Sequence, residues 1–187
     1  MVLGGICLAG PALTDEMLQG DPDAGRKLAG QCRTCHGLDG VAKIPIAPNI
    51  GGEPVSYLTA QLTAFRDARR THEMMSVVTK SLTDQQIADV STWYASHTAT
   101  ATLNADPADA PQACVACHGV DGIATVEDAP HLAGETNIYI ETQLKAFRSG
   151  KRNHDVMSDI AAELSDDEIR TLSNWFAAID LAVEGPT

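Results

Sequence analysis

A five-residue pattern occurs twice in this chain, as Cys32-Arg33-Thr34-Cys35-His36 and as Cys114-Val115-Ala116-Cys117-His118. Cys-x-x-Cys-His is the attachment signature of c-type haem. Two intervening residues place both sulfurs on one turn of helix, where they can form thioethers with the two vinyl groups of one porphyrin. The histidine that follows turns its imidazole to the iron as the proximal ligand. Zinc sites and thioredoxin-like redox pairs share Cys-x-x-Cys, but neither half of the chain offers the second Cys or His pair that a zinc site needs. The expectation is two covalently bound haem c groups.

Iron held on one side by histidine needs a sixth ligand or an open position. The sequence repeats itself without a gap at a shift of 82 residues, Cys32 to His97 against Cys114 to Ile179, with 27 of the 66 positions identical. In that register Met75 stands 39 residues after His36, and Met157 stands 39 after His118. A lone methionine is ordinarily core filler. Duplication in step with both motifs makes Met75 and Met157 the expected sixth ligands, whereas Met74 has Val156 as its mate. His72 and His154 also repeat, three residues before each methionine, either as rival ligands or as solvent-edge residues of the same loop. His97 and His131 have no histidine mates and are expected at the surface.

Further duplicated positions have physical roles to fill. Pro48 and Pro130 lie in Pro-Asn-Ile-Gly-Gly and Pro-His-Leu-Ala-Gly. Each either turns a loop corner or holds its carbonyl against the ring N–H of the proximal histidine, fixing the ring's orientation. Tyr57, Gln61 and Arg66, with mates Tyr139, Gln143 and Arg148, are expected to meet haem propionates or one another across a domain interface. Trp93 and Trp175 are expected to pack the last helix of each repeat.

The elements that must carry these residues read as helices. Val55, Leu58, Leu62 and Phe65 share one face of a helix beginning near Pro54, and Ile140, Leu144 and Phe147 form the partner stripe. Thr83-Asp84-Gln85-Gln86 and Ser165-Asp166-Asp167-Glu168 are capping boxes that open later helices. Ile87, Val90 and Tyr94 line the first of these helices; Ile169, Leu172, Phe176 and Ile179 line the second. No period-2 strand stands out, so the expected fold is all-α. A repeat this long is a small domain rather than a solenoid unit. The resulting division is a signal-peptide remnant over 1–12, an N-terminal domain over 13–97, a linker rich in Ala, Thr, Asp and Pro over 98–110, and a C-terminal domain over 111–187. Helical domains of about 80 residues with few aromatics bury little apolar surface and need a staple, which covalent haem would supply.

Composition bounds what such a molecule does. The chain has 187 residues, of which 44% are hydrophobic and 4% aromatic. No apolar run approaches the roughly 18–20 residues that cross a bilayer, which excludes a polytopic membrane protein. The net charge of -12 removes the basic footprint that nucleic-acid binding requires. Residues 21–104 carry 8 basic and 8 acidic side chains, whereas 105–187 carry 5 and 15. The acidity of the second half is either a solvated face or a means of steering one basic partner to a chosen side. The apolar, small-residue stretch Val2 to Gly10, ending in Gly10-Pro11-Ala12, looks like the tail of a secretory signal cleaved after Ala12, with Cys7 leaving alongside it.

Four sequence features resemble the cytochrome c4 family over about 21–180. They are the duplicated Cys-x-x-Cys-His-Gly, the Pro…Gly-Gly or Pro…Ala-Gly stretch, the Tyr…Gln-Leu…Ala-Phe-Arg helix and the methionine ahead of Leu-Ser/Thr-Asp. The resemblance implies two tandem cytochrome c-like domains related by a pseudo-two-fold axis, with His/Met ligation of both irons and haem propionate edges facing across the interface. It implies a periplasmic carrier of single electrons whose partners are redox proteins: a terminal oxidase, a cytochrome complex or a flavoprotein dehydrogenase. Loose association with membrane complexes and no nucleic-acid partner are also implied. The haem subunit of flavocytochrome c sulfide dehydrogenase looks related, which leaves a tightly bound subunit of a flavoprotein dehydrogenase as the alternative. A dihaem enzyme would need one iron with an open or unusual ligand, and no nucleophile–base pair stands out in the sequence. In one place the chain departs from the family. Asp23-Ala24-Gly25-Arg26-Lys27-Leu28 is similar to the family's N-terminal helix, whose glycine allows close packing on the last helix. The second half has Pro107-Ala108-Asp109-Ala110-Pro111-Gln112 there instead, and two prolines preclude a full helix.

Overall fold

The computed structural model describes residues 18–186. The expected leader over 1–12, with Cys7, lies outside the described residues. The first repeat builds α1 (Pro22–Ala29), α2 (Arg33–His36), α3 (Val55–Arg66), α4 (Met75–Thr79) and α5 (Asp84–Ala95). The second builds a 3-10 turn (Pro107–Asp109), then α6 (Gln112–His118), α7 (Asn137–Arg148), α8 (Asp155–Ala162) and α9 (Asp166–Ala177).

Local chemistry explains the helix boundaries. Thr83 and Ser165 start α5 and α9 with complete capping boxes, their hydroxyls accepting from Gln86 and Glu168 backbone N–H while those side chains reach back. Helix α1 starts at Pro22, where the missing N–H costs nothing, and Asp21 accepts from the N–H of Asp23 at 2.8 Å. The helix then lies across α5 at Gly25. A Cβ placed on Gly25 would stand 2.6 Å from the carbonyl carbon of Asp89 and 2.9 Å from Trp93 Cβ, so backbone would have to move. Gly25→Ala is therefore expected to cost about 2–3 kcal/mol, read as a lower denaturant midpoint. Gly30→Ala, whose Cβ would meet only Lys27 O at 3.1 Å, should stay within about 0.5 kcal/mol of the parent.

The second half has no counterpart of α1. Pro107 and Pro111 stand at the positions of Gly25 and Ala29, and a three-residue 3-10 turn is all that forms. Each half buries a modest apolar cluster. Ala29, Leu58, Val90, Trp93 and Tyr94 form the first; Ala133, Ile140, Leu144, Ile169, Phe176 and Ile179 form the second.

The sequence showed no strand, yet two are present. β1 (Thr98–Thr102) falls within the stretch read as a linker and pairs antiparallel with β2 (Asp180–Glu184). Thr-Ala-Thr-Ala-Thr has the alternation and β-branching of a strand, but its partner lies 82 residues away. The two strands occupy equivalent positions in the repeat, and Thr100 pairs with its own mate, Ala182. The pseudo-two-fold axis therefore passes through that pair. The molecule is two tandem helical domains joined at the dyad by one short ribbon. Among the described residues no helix is long and apolar enough to cross a membrane.

Candidate functional site

Cys32 immediately precedes α2 and Cys114 lies in α6, and each of these helices ends on its histidine, His36 or His118. The next residue is glycine in both, at φ 72° for Gly37 and 75° for Gly119. Only a residue without Cβ enters that region readily, and it reverses the chain directly behind the imidazole. The loop then returns: Ile50 N–H bonds to Gly40 O, and Leu132 N–H to Gly122 O, each at 2.7 Å. This brings the carbonyl of Pro48 to 2.9 Å from His36 Nδ1, and that of Pro130 to 2.9 Å from His118 Nδ1. A carbonyl only accepts, so each ring carries its proton on Nδ1 and keeps the Nε2 lone pair free. Both histidines are nearly buried, and burial holds their pKa values below the ordinary imidazole value.

A single cavity of about 910 Å³ takes in both halves. Its walls include all four motif cysteines, His36 and His118, Met75 and Met157, and Pro48 and Pro130. These residues fit haem. The apolar walls suit a porphyrin face, and buried polar atoms without a protein partner, Ser91 Oγ and Glu135 Oε2, belong to residues lining the same space. Among the described residues no group of three or more His, Cys, Asp or Glu is placed to hold a metal ion, which leaves a protein-only zinc site without ligands.

Met75 opens α4 and Met157 lies in the first turn of α8. His72 and His154 line the same cavity, each with its Nδ1 already engaged. Their Nδ1 atoms accept from the backbone N–H groups of Met75 (3.5 Å) and Met157 (3.3 Å), capping the helices that present the two thioethers. Thr79 Oγ1 ties α4 from its other end by donating to Met75 O at 2.8 Å.

The domain interface corrects several expectations. Arg66 and Arg148 do not reach it. Each pairs within its own domain, with Asp84 at 2.6 Å and with Asp166 at 2.5 Å, because their helix phase points them at the capping boxes. The arginines that cross are Arg70 and Arg152, just beyond α3 and α7. Arg70 donates to Gln61 (2.6 Å) and Gln143 (2.8 Å), and Arg152 donates to Gln143 (2.8 Å) and Gln61 (3.0 Å), with Tyr139 and Tyr57 completing the ring. Both arginines stand among the 27 repeat identities, which was the available signal.

His131 is half-buried rather than at the surface, because it replaces Asn49 atom for atom. Asn49 accepts from Ala42 N–H and donates to Gly134 O; His131 Nδ1 accepts from Ala124 N–H while Nε2 donates to Gly52 O. His97 is buried as well, its Nδ1–H donating to Trp93 O at 3.0 Å with its ring edge-on to the indole. Trp93 packs as expected, and its Nε1 donates to Leu38 O at 3.0 Å. Trp175 Nε1 has no such partner among the described residues.

Two buried carboxylates escaped the sequence reading, although they too are repeat identities. Glu53 and Glu135 are each 3% exposed. Glu53 accepts from His131 N–H at 3.0 Å, and Glu135 accepts from Asn49 N–H at 2.8 Å, so each reaches into the opposite domain. Burial pushes the Glu53 carboxyl up to about 8 and lifts Glu135 well above the carboxylate range, with the neighbouring Glu53 adding to the latter. Between its unfolded value near 4.5 and about 8, native Glu53 holds a proton that the unfolded chain has released, so stability declines as pH rises through that window. Unfolding midpoints are accordingly expected to fall between pH 7 and pH 9, above the histidine range, and Glu53→Gln should flatten that slope. An unchanged or rising midpoint in the parent would contradict the burial of a neutral acid.

Comparison with known proteins agrees with this construction. The family model for cytochrome c matches residues 22–98, and that for cytochrome c oxidase, cbb3-type, subunit III matches 108–176. The chain is 32% identical over 180 residues to cytochrome c4 of Pseudomonas aeruginosa, covering 86% of this chain and 89% of that one. It is 30% identical over 176 residues to a thiosulfate dehydrogenase electron acceptor of Thiomonas intermedia, covering 82% and 81%. The crystal structure of reduced cytochrome c4 from Pseudomonas stutzeri superposes with a TM-score of 0.74 at 28% identity, covering 84% of this chain and 98% of that one. Two haem c groups, one on Cys32 and Cys35 and one on Cys114 and Cys117, make the chain a dihaem electron-transfer cytochrome. With both haem domains, the dyad and relatives that align along most of their length, this chain belongs to the cytochrome c4 family.

Proposed function

We propose that His36 with Met75, and His118 with Met157, are the axial ligand pairs of the two haem irons, and that the chain carries single electrons between redox proteins in the periplasm. The observation that carries this reading is the shared cavity, which collects both motif histidines and both methionines with each histidine's Nδ1 already committed to a proline carbonyl. When bound, haem supplies a one-electron change at iron, and methionine ligation favours the ferrous form, raising the potential. The protein's part is to orient the imidazoles, present the thioethers from capped helices and keep water from the irons. Pro48 and Pro130 act as the orienting partners of the proximal histidines.

The donors and acceptors fitting this reading are a terminal oxidase, a cytochrome complex or a dehydrogenase of small sulfur compounds. The last is supported by the relative named as a thiosulfate dehydrogenase electron acceptor. The second reading, a permanent subunit of a flavoprotein dehydrogenase, differs in what travels with the chain. Size-exclusion chromatography of native material decides between them: a lone dihaem chain supports the carrier, whereas co-eluting flavin supports the subunit. A redox titration with visible spectra tests the ligands, with two haems per chain and sulfur axial to both as the expected result.

A further inference from the structure

One peptide group in each domain is bonded on both sides. The amide joining Pro48 to Asn49 receives His36 Nδ1–H on its oxygen at 2.9 Å and gives its own N–H to Glu135 Oε1 at 2.8 Å. The amide joining Pro130 to His131 receives His118 Nδ1–H on its oxygen at 2.9 Å and gives its N–H to Glu53 at 3.0 Å. Among the described residues no peptide bond is cis, so oxygen and hydrogen leave each amide in opposite directions and the two hydrogen bonds run in series. Each series crosses the dyad. The histidine and the amide belong to one domain and the glutamate to the other.

From this geometry we infer that Glu135 tunes the haem of the first domain and Glu53 tunes the haem of the second, each acting from the opposite domain through a single peptide group onto the proximal histidine. The inference rests on His36 and His118 being iron ligands. An acceptor on the N–H polarises the amide and leaves its carbonyl oxygen more negative. That oxygen then pulls harder on the imidazole Nδ1–H, and Nε2 becomes more electron-rich. A richer Nε2 favours ferric iron. The two glutamates are thus positioning residues that lower the potential of the haem they do not themselves enclose. The fold keeps this contact undiluted: both carboxyl groups are 3% exposed, so water does not compete for the N–H, and neither forms a salt bridge with a described residue. A domain swap of influence follows, because separating the halves would cut both series at once.

The experiment is a redox titration of the intact dihaem protein followed by paramagnetic NMR, with the hyperfine-shifted haem signals assigned to each domain. Glu135→Ala should lower the ferric-to-ferrous ratio of the first-domain haem, at fixed ambient potential, by about threefold to tenfold, the upper value corresponding to ~59 mV for one electron. The second-domain haem should move much less. Glu135→Gln keeps a neutral oxygen acceptor facing Asn49, as the buried acid does, and should leave the first-domain haem close to its parent ratio. Glu53→Ala and Glu53→Gln should show the mirror pattern. The His36 Nδ1–H resonance should move upfield in Glu135→Ala, as a weakened hydrogen bond requires, which a purely structural role would not produce. In the alanine variants, equal shifts in both haems, a shift confined to the glutamate's own domain, or none in either would overturn the inference, provided haem count and axial sulfur are intact. Loss of those two signatures in the parent protein would instead sink the ligand assignment. Should Glu135→Ala fail to fold, Glu135→Met, which fills the same space without an oxygen acceptor, decides by the same far-haem criterion.

Discussion

Met75→Ala is expected to leave two haems attached and the helices in place while opening one iron to exogenous ligand. The methionine contributes little to packing that α4 cannot do without, because the helix is held by His72 at its start and by Thr79 within. On the proposed ligation the thioether contributes axial sulfur, and its loss should lower that haem's potential by well over ~59 mV, a tenfold change in the ferric-to-ferrous ratio. Reduced Met75→Ala should bind carbon monoxide at one haem per chain, where the parent binds none, and Met157→Ala should do the same at the other. If neither the titration nor carbon monoxide binding changes, the methionines are core residues and not ligands.

Removing the thioether anchors should have the largest effect of all. In Cys32→Ala/Cys35→Ala, a pyridine haemochrome assay should count one haem per chain, and the helical circular dichroism signal should fall toward about half. The physical reason is the cavity. About 910 Å³ of space walled by Leu58, Phe65 and Val90 on one side and Leu144, Phe147 and Phe176 on the other cannot stand open between clusters this small. Native helicity without the haem would mean that the protein core is sufficient on its own.

How much of this was legible beforehand depends on how local the signal is. The Cys-x-x-Cys-His motifs, the capping boxes at Thr83 and Ser165, and the apolar stripes of α3 and α7 are specified within a few residues and are found where the residue pattern put them, except that Val55, which opens the α3 stripe, is exposed. The interface is another matter. Thr98 to Thr102 carries a strand-like alternation of Thr and Ala, but a five-residue strand needs residues 180–184 alongside to form, and that pairing is not local. Arg66 and Arg70 are equally duplicated, so the repeat could not say which reaches the dyad. That was settled by Arg66 ending a helix whose phase faces Asp84 and by Arg70 standing beyond it. His131 was placed at the surface for want of a histidine mate, yet its ring reproduces the donor and acceptor of Asn49. A repeat comparison by residue type is blind to that isosterism, since it exists only in hydrogen-bond geometry.

The ribbon at the dyad bears on how the molecule behaves on dilution. β1 and β2 are the same segment of two copies, paired antiparallel across the dyad in the manner of a symmetric dimer whose subunits share one polypeptide. Joining them by the few residues after Thr102 replaces a bimolecular association with an effective concentration on the order of millimolar. The two redox centres therefore keep their mutual orientation at any abundance of the protein, and a half-molecule released by cleavage between 103 and 106 would expose an unpaired sheet edge seeking another copy of itself.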